Sequence, residues 1–509
     1  MLLLAIVAWC WVLAEAWLEA RNLEIILHGA LMLAAALTLL LLTVQCKALL
    51  TPIPTLCRSS TCLRESSSTS RAMESTAVVL IDPVTDWKQV IEAAASLGHS
   101  VVAVQLPAEA LPEKFQSFLP TAPALREAGV DHVLSVEQRD VFSITQQLQI
   151  IASDYNLKFM GVIPLSEIAV EVSDCVASCL GLPHNQLDLL TARRDKGMMK
   201  NAVESAGLRI AKYKRVASMQ DVNDAMSQLS LCYPIVLKTP AGMSTTDVFI
   251  CSNDQEAERA ITSILGKISP DGRRVEKALL EEYIGGVEFA INLMAFSSLD
   301  NNAPPRLLVT DMWKYEKTKR ARYAHAEICS PGDYPSLIEY ATNVARAVGV
   351  RVGAAHVELK AEEVNNGSFA HPVLIEVGAR LSGGRKSIMA QSAIQNWNPF
   401  EALVQSHSMD ACEISSQNTN FLTPDKFARH IFLPIEQKGI VEKIEIDVSS
   451  LSTLHSLAMI CKAGDVVDET TDIVTCAGFV WLVGDRKQVD DDTDAVMSSF
   501  VLSVTDHEE

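Results

Sequence analysis

Two glutamates stand out in a chain of 509 residues, Glu358 in AAHVELK and Glu376 in VLIEVGAR. Both sit in apolar runs that read as strands, where an unpartnered carboxylate is costly. Two carboxylates from adjacent strands can share a Mg²⁺ ion, which takes oxygen ligands and bridges phosphates. The other reading makes them strand-end acids paired with Lys360 and Arg380. In a regular strand Glu376, Gly378 and Arg380 share one face, so a carboxylate and a guanidinium would point into one pocket.

Two lysines add a second chemistry. Lys196 lies in RRDKGMMK, and Lys238 closes YPIVLK directly before TPAGMSTTDV (residues 239–248), the loop that holds Ser244 and Thr245. A loop of small residues lets backbone N–H groups approach phosphate oxygens, while lysine supplies a point charge. A lone lysine is ordinarily a solvated surface charge; its place between an apolar strand and such a loop argues for phosphate. LLEEYIGGVEF (residues 279–289) suits a hinge whose backbone reads an adenine edge, with Glu288 accepting from ribose hydroxyls. Its plainer reading is a β-hairpin with exposed acids.

The elements that must position these residues follow from periodicity. AVVLID (77–82), SVVAVQL (100–106), HVLSV (132–136) and FMGVIPLS (159–166) read as buried strands, and WKQVIEAAASLG as a helix stopped at Gly98. The alternation predicts a small parallel sheet. No Gly-x-Gly-x-x-Gly follows the first strand, so a dinucleotide fold is not supported. From about residue 190 a helix over 193–207 precedes the strand candidates PIVLK, VFICS, ALLEEYI, FAINLMAF and RLLVTDMW, with a helix at 254–266. This predicts an α+β region rich in antiparallel pairing. The tail from about 425 reads as short strands and turns.

Together the pieces RRDKGMMKNAVESAGL, YPIVLKTPAGMSTTDV, LLEEYIGGVEF, HVELK and LIEVGARLSGG resemble the ATP-grasp superfamily, specifically its carboxylate–amine (amino-acid) ligase branch. They occur in the family's order, within a resemblance covering roughly residues 76–485. The resemblance implies an ATP-grasp fold behind an N-terminal α/β domain; the apolar N-terminal run separately predicts a transmembrane or targeting helix ahead of both. Expected boundaries are 1–50 (apolar segment), 51–75 (linker), 76–190 (N-terminal domain), 191–424 (ATP-grasp domain) and 425–509 (C-terminal subdomain). It implies that Lys196, Lys238, Ser244 and Thr245 contact ATP phosphates and that Glu281, Tyr283 and Ile284 line the adenine site. Glu288 would bind ribose, and Glu358 and Glu376 would hold Mg²⁺, or Mn²⁺ in its place. Arg380 would grip the substrate carboxylate or the transferred phosphate. His325, in the substrate-side segment VTDMWKYEKTKRARYAHAEICSP (309–331), would steer the carboxylate or stabilise the tetrahedral intermediate, unless it is a solvent histidine on a mobile loop. The implied reaction joins a small carboxylate to an amine, both amino acids by resemblance, through an acyl-phosphate, under a lid at 240–247. A carboxylase of the same superfamily and a tethered, non-catalytic nucleotide binder are the rival expectations. Many family members carry asparagine two residues after the second metal glutamate; here that position is Gly378, which leaves one or two metal ions open. Homodimers are common in the family.

Composition sets outer limits. The net charge of -19 argues against a nucleic-acid partner, which would call for a basic face. The 12 cysteines are scattered; Cys175 and Cys179 form a close pair with no second pair to complete a zinc site, which points to free thiols in a reducing compartment. Residues 25–44, IILHGALMLAAALTLLLLTV, are long enough to span a bilayer core as a helix. Lys47, Arg58, Arg64 and Arg71 follow, so the positive-inside rule places the body in the cytosol. A helical hairpin with residues 2–14, or a cleaved segment directing the chain to a plastid or mitochondrion, are the other expectations.

Overall fold

Strand β1 (Ser75–Ile81) is the centre of the first sheet, and its burial explains its composition. β2 (Ser100–Gln105) and β4 (Leu157–Pro164) pair with it in parallel on either side, and β3 (His132–Ser135) extends the sheet beyond β2. Parallel strands covered on both faces need continuous apolar runs rather than alternation. Ala77, Val78, Val79, Leu80 and Ile81 are accordingly all sealed from solvent. Helices α1 (Trp87–Ser96), α2 (Ala122–Glu127), α3 (Val141–Tyr155) and α4 (Val170–Cys179) complete this part. The strands and the first helix expected from the sequence are all present.

The computed structural model describes residues 74–107, 116, 119–242, 247–297, 304–318, 323–365, 367–408, 419–471 and 475–505. The apolar run 25–44, nearly all of the linker, and Ser244 and Thr245 with the centre of the expected lid lie outside the described residues. Among the described residues no helix is long and apolar enough to cross a membrane. Residues from Met73 to Glu509 form one compact unit.

Helix α5 (Lys196–Ser205) opens the next region. Asp195 caps it, its carboxylate accepting from the N–H groups of Gly197 and Met198, which fixes Lys196 at the first helical position. A four-stranded antiparallel sheet follows, in the order β5 (Tyr213–Val216), β8 (Ala278–Glu282), β6 (Ile235–Lys238), β7 (Val248–Cys251). It is backed by α6 (Met219–Leu229) and α7 (Asp254–Ile264), whose apolar faces form one core with Ile235, Leu237 and Leu280.

The largest sheet has eight strands. From one edge it runs β13 (Ser368–Gly378), β12 (Gly353–Asn365), β9 (Val287–Phe296), β10 (Arg306–Lys317), β11 (Tyr323–Cys329), β14 (Phe427–Leu433), β18 (Gly478–Gly484) and β16 (Leu454–Met459). Period-two alternation sorts its faces. Phe289, Ile291 and Leu293 pack under α8 (Pro335–Ala347), while Glu288 and Asn292 face the other way. The expected break at residue 425 therefore does not divide the sheet, since β14, β16 and β18 join the strands before it. Between them lie α9 (Lys386–Ala393) and α10 (Pro399–Ser408). β15 (Gly439–Glu445), β17 (Val466–Val467) and β19 (Val501–Thr505) make a small outer sheet. The tail departs from the expectation of strands and turns alone. It contains α11 (Arg486–Ser499), a helix whose acidic stretch hides an apolar face reduced to Val489 and Val496.

Candidate active site

A cleft of about 680 Å³ opens between the four-stranded and eight-stranded sheets. Glu358 on β12 and Glu376 on β13 stand opposite each other in register, and both line it. The adjoining row places Glu288 between Lys360 and Tyr315. The pleat thus delivers the carboxylates and cations to one face while Val357 and Leu359 enter the core behind.

The triphosphate-side cations expected from the sequence converge here. Lys196 Nζ lies 2.7 Å from Glu376 and donates to the Gly242 carbonyl at 3.1 Å. Lys238 lies 3.0 Å from Glu281. Desolvation acts to raise Glu376, but Lys196, Lys238 and Arg380 outweigh it and hold the carboxyl at about 2. It is therefore ionised at neutral pH and able to serve a hard cation. Arg194 donates to the carbonyls of Ala241 and Gly242, so the segment before α5 grips the entry to the glycine-containing loop.

Glu281, Tyr283, Ile284 and Glu288 also line the cleft. Glu281 is occupied differently from the adenine contact expected of it: its buried carboxylate bridges Lys238 and Lys200. Burial favours its protonated form, and the two ammonium groups reverse that and lower its pKa. Tyr283, exposed, and Ile284, half-buried, follow as a hinge, with Lys360 donating to the Ile284 carbonyl at 2.9 Å and lying over the Tyr283 ring. Glu288, expected to meet ribose, accepts from Lys317 at 2.9 Å and from the Tyr323 hydroxyl at 2.7 Å. Arg380 lines the cleft with Nε 2.7 Å from Glu167, which follows β4 of the parallel sheet.

His325 is the residue the fold takes elsewhere. It pairs with Ile431 on β14 and lines a separate pocket with Thr493 and Met497, not the cleft. The cause is sheet geometry: a register shift at Glu316/Lys317 leaves Tyr323 toward the cleft and His325 toward α11. Burial, and then the charge of Arg429, lower its pKa.

Several residues that line the cleft or pair with its lining escaped sequence reasoning. Lys200 is one, fully buried and pushed by burial down to about 8 despite Glu281; its spacing of four from Lys196 on one helix was the available signal. His356 is another. Its Nε2 meets Glu358 at 3.0 Å and its Nδ1 meets Asn292 at 2.7 Å, and Asn292 in turn donates to buried Asp311. Trp313 Nε1 and the Thr310 hydroxyl also donate to Asp311, at 2.6 and 2.8 Å. The chain orients Glu358 as outer partners orient a metal ligand. Lys386 and His430 line the cleft as well, and no motif marked them.

Among the described residues no cluster of three or more His, Cys, Asp or Glu side chains stands ready to hold a metal alone. The in-register pair of carboxylates fits a Mg²⁺ ion that completes its shell with phosphate oxygens and water.

Comparison with known proteins bears on the fold that carries this cleft. Residues 231–387 match the ATP-grasp domain. Dapdiamide A synthase of Enterobacter agglomerans is 25% identical over 420 residues, covering 80% of this chain and 92% of that protein. The L-amino acid ligase of Bacillus licheniformis superposes with a TM-score of 0.65 at 18% identity, over 85% of this chain and 100% of that one. N5-carboxyaminoimidazole synthetase from Staphylococcus aureus complexed with ADP gives 0.55 at 14% identity, over 83% of this chain and 97% of that one. At such identities the two structures speak for the fold alone.

Proposed function

We infer, from a chain that belongs to the ATP-grasp superfamily, an ATP-dependent ligase that joins a carboxylate to an amine and releases ADP and phosphate. The observation that carries it is the register of Glu358 with Glu376 beside Lys196, Lys238 and Arg380 on one cleft. The names dapdiamide A synthase and L-amino acid ligase favour amino acids as the substrates on both sides of the bond.

The substrate carboxylate attacks the γ-phosphate of ATP, giving acyl-phosphate and ADP; the amine then displaces phosphate. Negative charge builds on the transferred phosphoryl oxygens in the first step, and Lys196, Lys238 and Arg380 are the residues able to offset it. Glu358 and Glu376 would hold Mg²⁺, which supplies charge neutralisation at the phosphates when bound. Val236, Phe249 and Ile250 give the hinge end an apolar wall against which a purine ring packs. An acyl-phosphate hydrolyses in water, which calls for cover over the cleft.

The test is ADP release by the full chain against pairwise amino acids, with product masses. A product lighter by one water than the summed substrates supports the ligase. ADP release that needs bicarbonate, or nucleotide binding with no release for any pair, overturns it. We propose also that residues 25–44 hold the body at a membrane, facing the cytosol, on the strength of their length and the basic residues that follow. Carbonate extraction and protease protection test this; a shortened chain inside an organelle overturns it.

A further inference from the structure

The cleft has an end that the nucleotide reading leaves unused. His430 on β14 is 1% exposed, lines the cleft, and has a partner at neither ring nitrogen. It stacks on Trp481 with centroids 4.9 Å apart and an interplanar angle of 19°. A buried polar atom without a partner is destabilising, so two on one ring at a cavity wall point to something that enters the cavity.

Lys386 opens α9 and is 4% exposed. It makes no hydrogen bond or ion pair with any described residue, only a contact over the Tyr315 ring at 5.2 Å. The two groups converge. A Cβ built on Gly384 would lie 3.2 Å from His430 Cε1 and 3.5 Å from Lys386 Nζ, and one on Gly383 would meet nothing within 4 Å. Gly384 takes a φ of +69° and Arg385 one of +59°, and Trp481 Nε1 holds the turn by donating to the Gly384 carbonyl at 3.0 Å. The small space is thus bounded by an ammonium, an imidazole and the start of a helix, whose first N–H groups carry partial positive charge. The nearby carboxylates are already engaged, Glu358 by His356 and Glu288 by Lys317 and Tyr323. What remains is a site for an anion.

We propose that Lys386, His430 and the Gly383–Gly384 turn bind the free carboxylate of the amine-bearing amino acid, so that the enzyme selects amino acids over simple amines. The inference rests on the ligase reading and names the part of the second substrate that is recognised. The reacting carboxylate is the poorer occupant. It must stay nucleophilic toward phosphorus, and a fixed ammonium on its oxygens would oppose that. The carboxylate of the amine substrate keeps its charge through both steps.

The experiment compares the acceptor amino acid returned by the pairwise screen with its own amide, which keeps the amine and loses the charge. Wild-type enzyme is expected to prefer the acid by about a hundredfold in kcat/KM, less than the roughly 10⁴–10⁵ of a polar site left wholly unpaired, because the amide keeps its shape and hydrogen bonding and loses only the charge. Lys386→Met should reduce that preference to about threefold, raising the acceptor KM far more than the ATP KM, and Lys386→Arg should restore part of it. His430→Phe keeps the ring stack and removes the nitrogens, with a rise in acceptor KM of about tenfold. Wild-type enzyme that uses acid and amide equally overturns the proposal without any variant. So does a Lys386→Met enzyme, folded by thermal melt, that keeps the wild-type preference. Absence of ADP release with every pair would instead bring down the ligase reading beneath it.

Discussion

At the hinge and triphosphate end of the cleft each cation already meets an oxygen. Lys238 and Lys200 share Glu281, Lys196 holds Glu376, Lys317 holds Glu288, and Lys360 takes the Ile284 carbonyl. At the Gly384 end, Lys386 and His430 meet none. The first arrangement keeps a set of buried charges fixed without ligand. The second leaves desolvated groups for a ligand to satisfy. Burial drives Lys386 down to about 8 and His430 well below the ordinary histidine range, against the opposing charges of Glu358 and Asp311 on the lysine. Paired charge is architecture that a ligand joins; unpaired buried polar groups are what a ligand can satisfy.

The strongest blow to this contrast would fall on Glu376. Glu376→Gln keeps the shape and removes the charge facing Lys196, and ADP release should fall by about a thousandfold, the upper scale for one electrostatic group. Circular dichroism should be unchanged. Release within tenfold of wild type would take Glu376 out of the chemistry.

Next in size is Glu281→Gln. It strands Lys200 and Lys238 beside each other without a counter-charge, which should cost about 3–5 kcal/mol of stability in denaturant unfolding. Lys386→Met removes a buried ammonium that has no partner, and its melting temperature should equal or exceed wild type. Equal losses in the two variants would erase the distinction between the ends.

His407 refines the rule. Its Nδ1 has no partner either, but backbone packs tightly against it: a Cβ on Gly353 would lie 2.4 Å from its Nε2, and one on Gly161 2.8 Å from its backbone. Burial depresses its pKa to about 4. The unfolded chain takes up that proton near pH 6.5. The contribution is therefore complete above about pH 6.5, falls as pH drops toward 4 and levels off below, in total about 3 kcal/mol. A His407→Leu variant should lose that slope in unfolding titrations; an unchanged slope would assign it to other groups.

Much of this was readable before any coordinates. The run AVVLI announced a buried parallel strand because both faces are covered, and GAAHVELK and LIEVG placed two glutamates on apolar strands whose register then aligned them. His325 was misplaced because a register shift two strands from the metal pair is invisible in the local pattern. Helix α11 was missed because its buried face is thin and its charge high. Lys386 and His430 lie 44 positions apart on a helix and a strand, and only the eight-stranded sheet joins them at Gly384. No local motif encodes such a meeting.

The smallest predicted effect tests how the paired end is held. His356 touches no part of a bound nucleotide in this scheme; it fixes Glu358 through Nε2 while Asn292 and Asp311 fix the ring through Nδ1. Asp311 is fully buried and burial raises its pKa, opposed by its donors Asn292, Thr310 and Trp313. His356→Ala leaves both carboxylates in place and frees Glu358 to rotate, so Mg²⁺ affinity should weaken by about 10–100-fold. Mn²⁺ binding followed by electron paramagnetic resonance reads this without catalysis. His356→Gln, which can still donate to Glu358, should recover most of the loss. If both variants bind Mn²⁺ as tightly as wild type, Glu358 needs no outer support, and the order at this end comes from the sheet backbone rather than from the side-chain chain behind it.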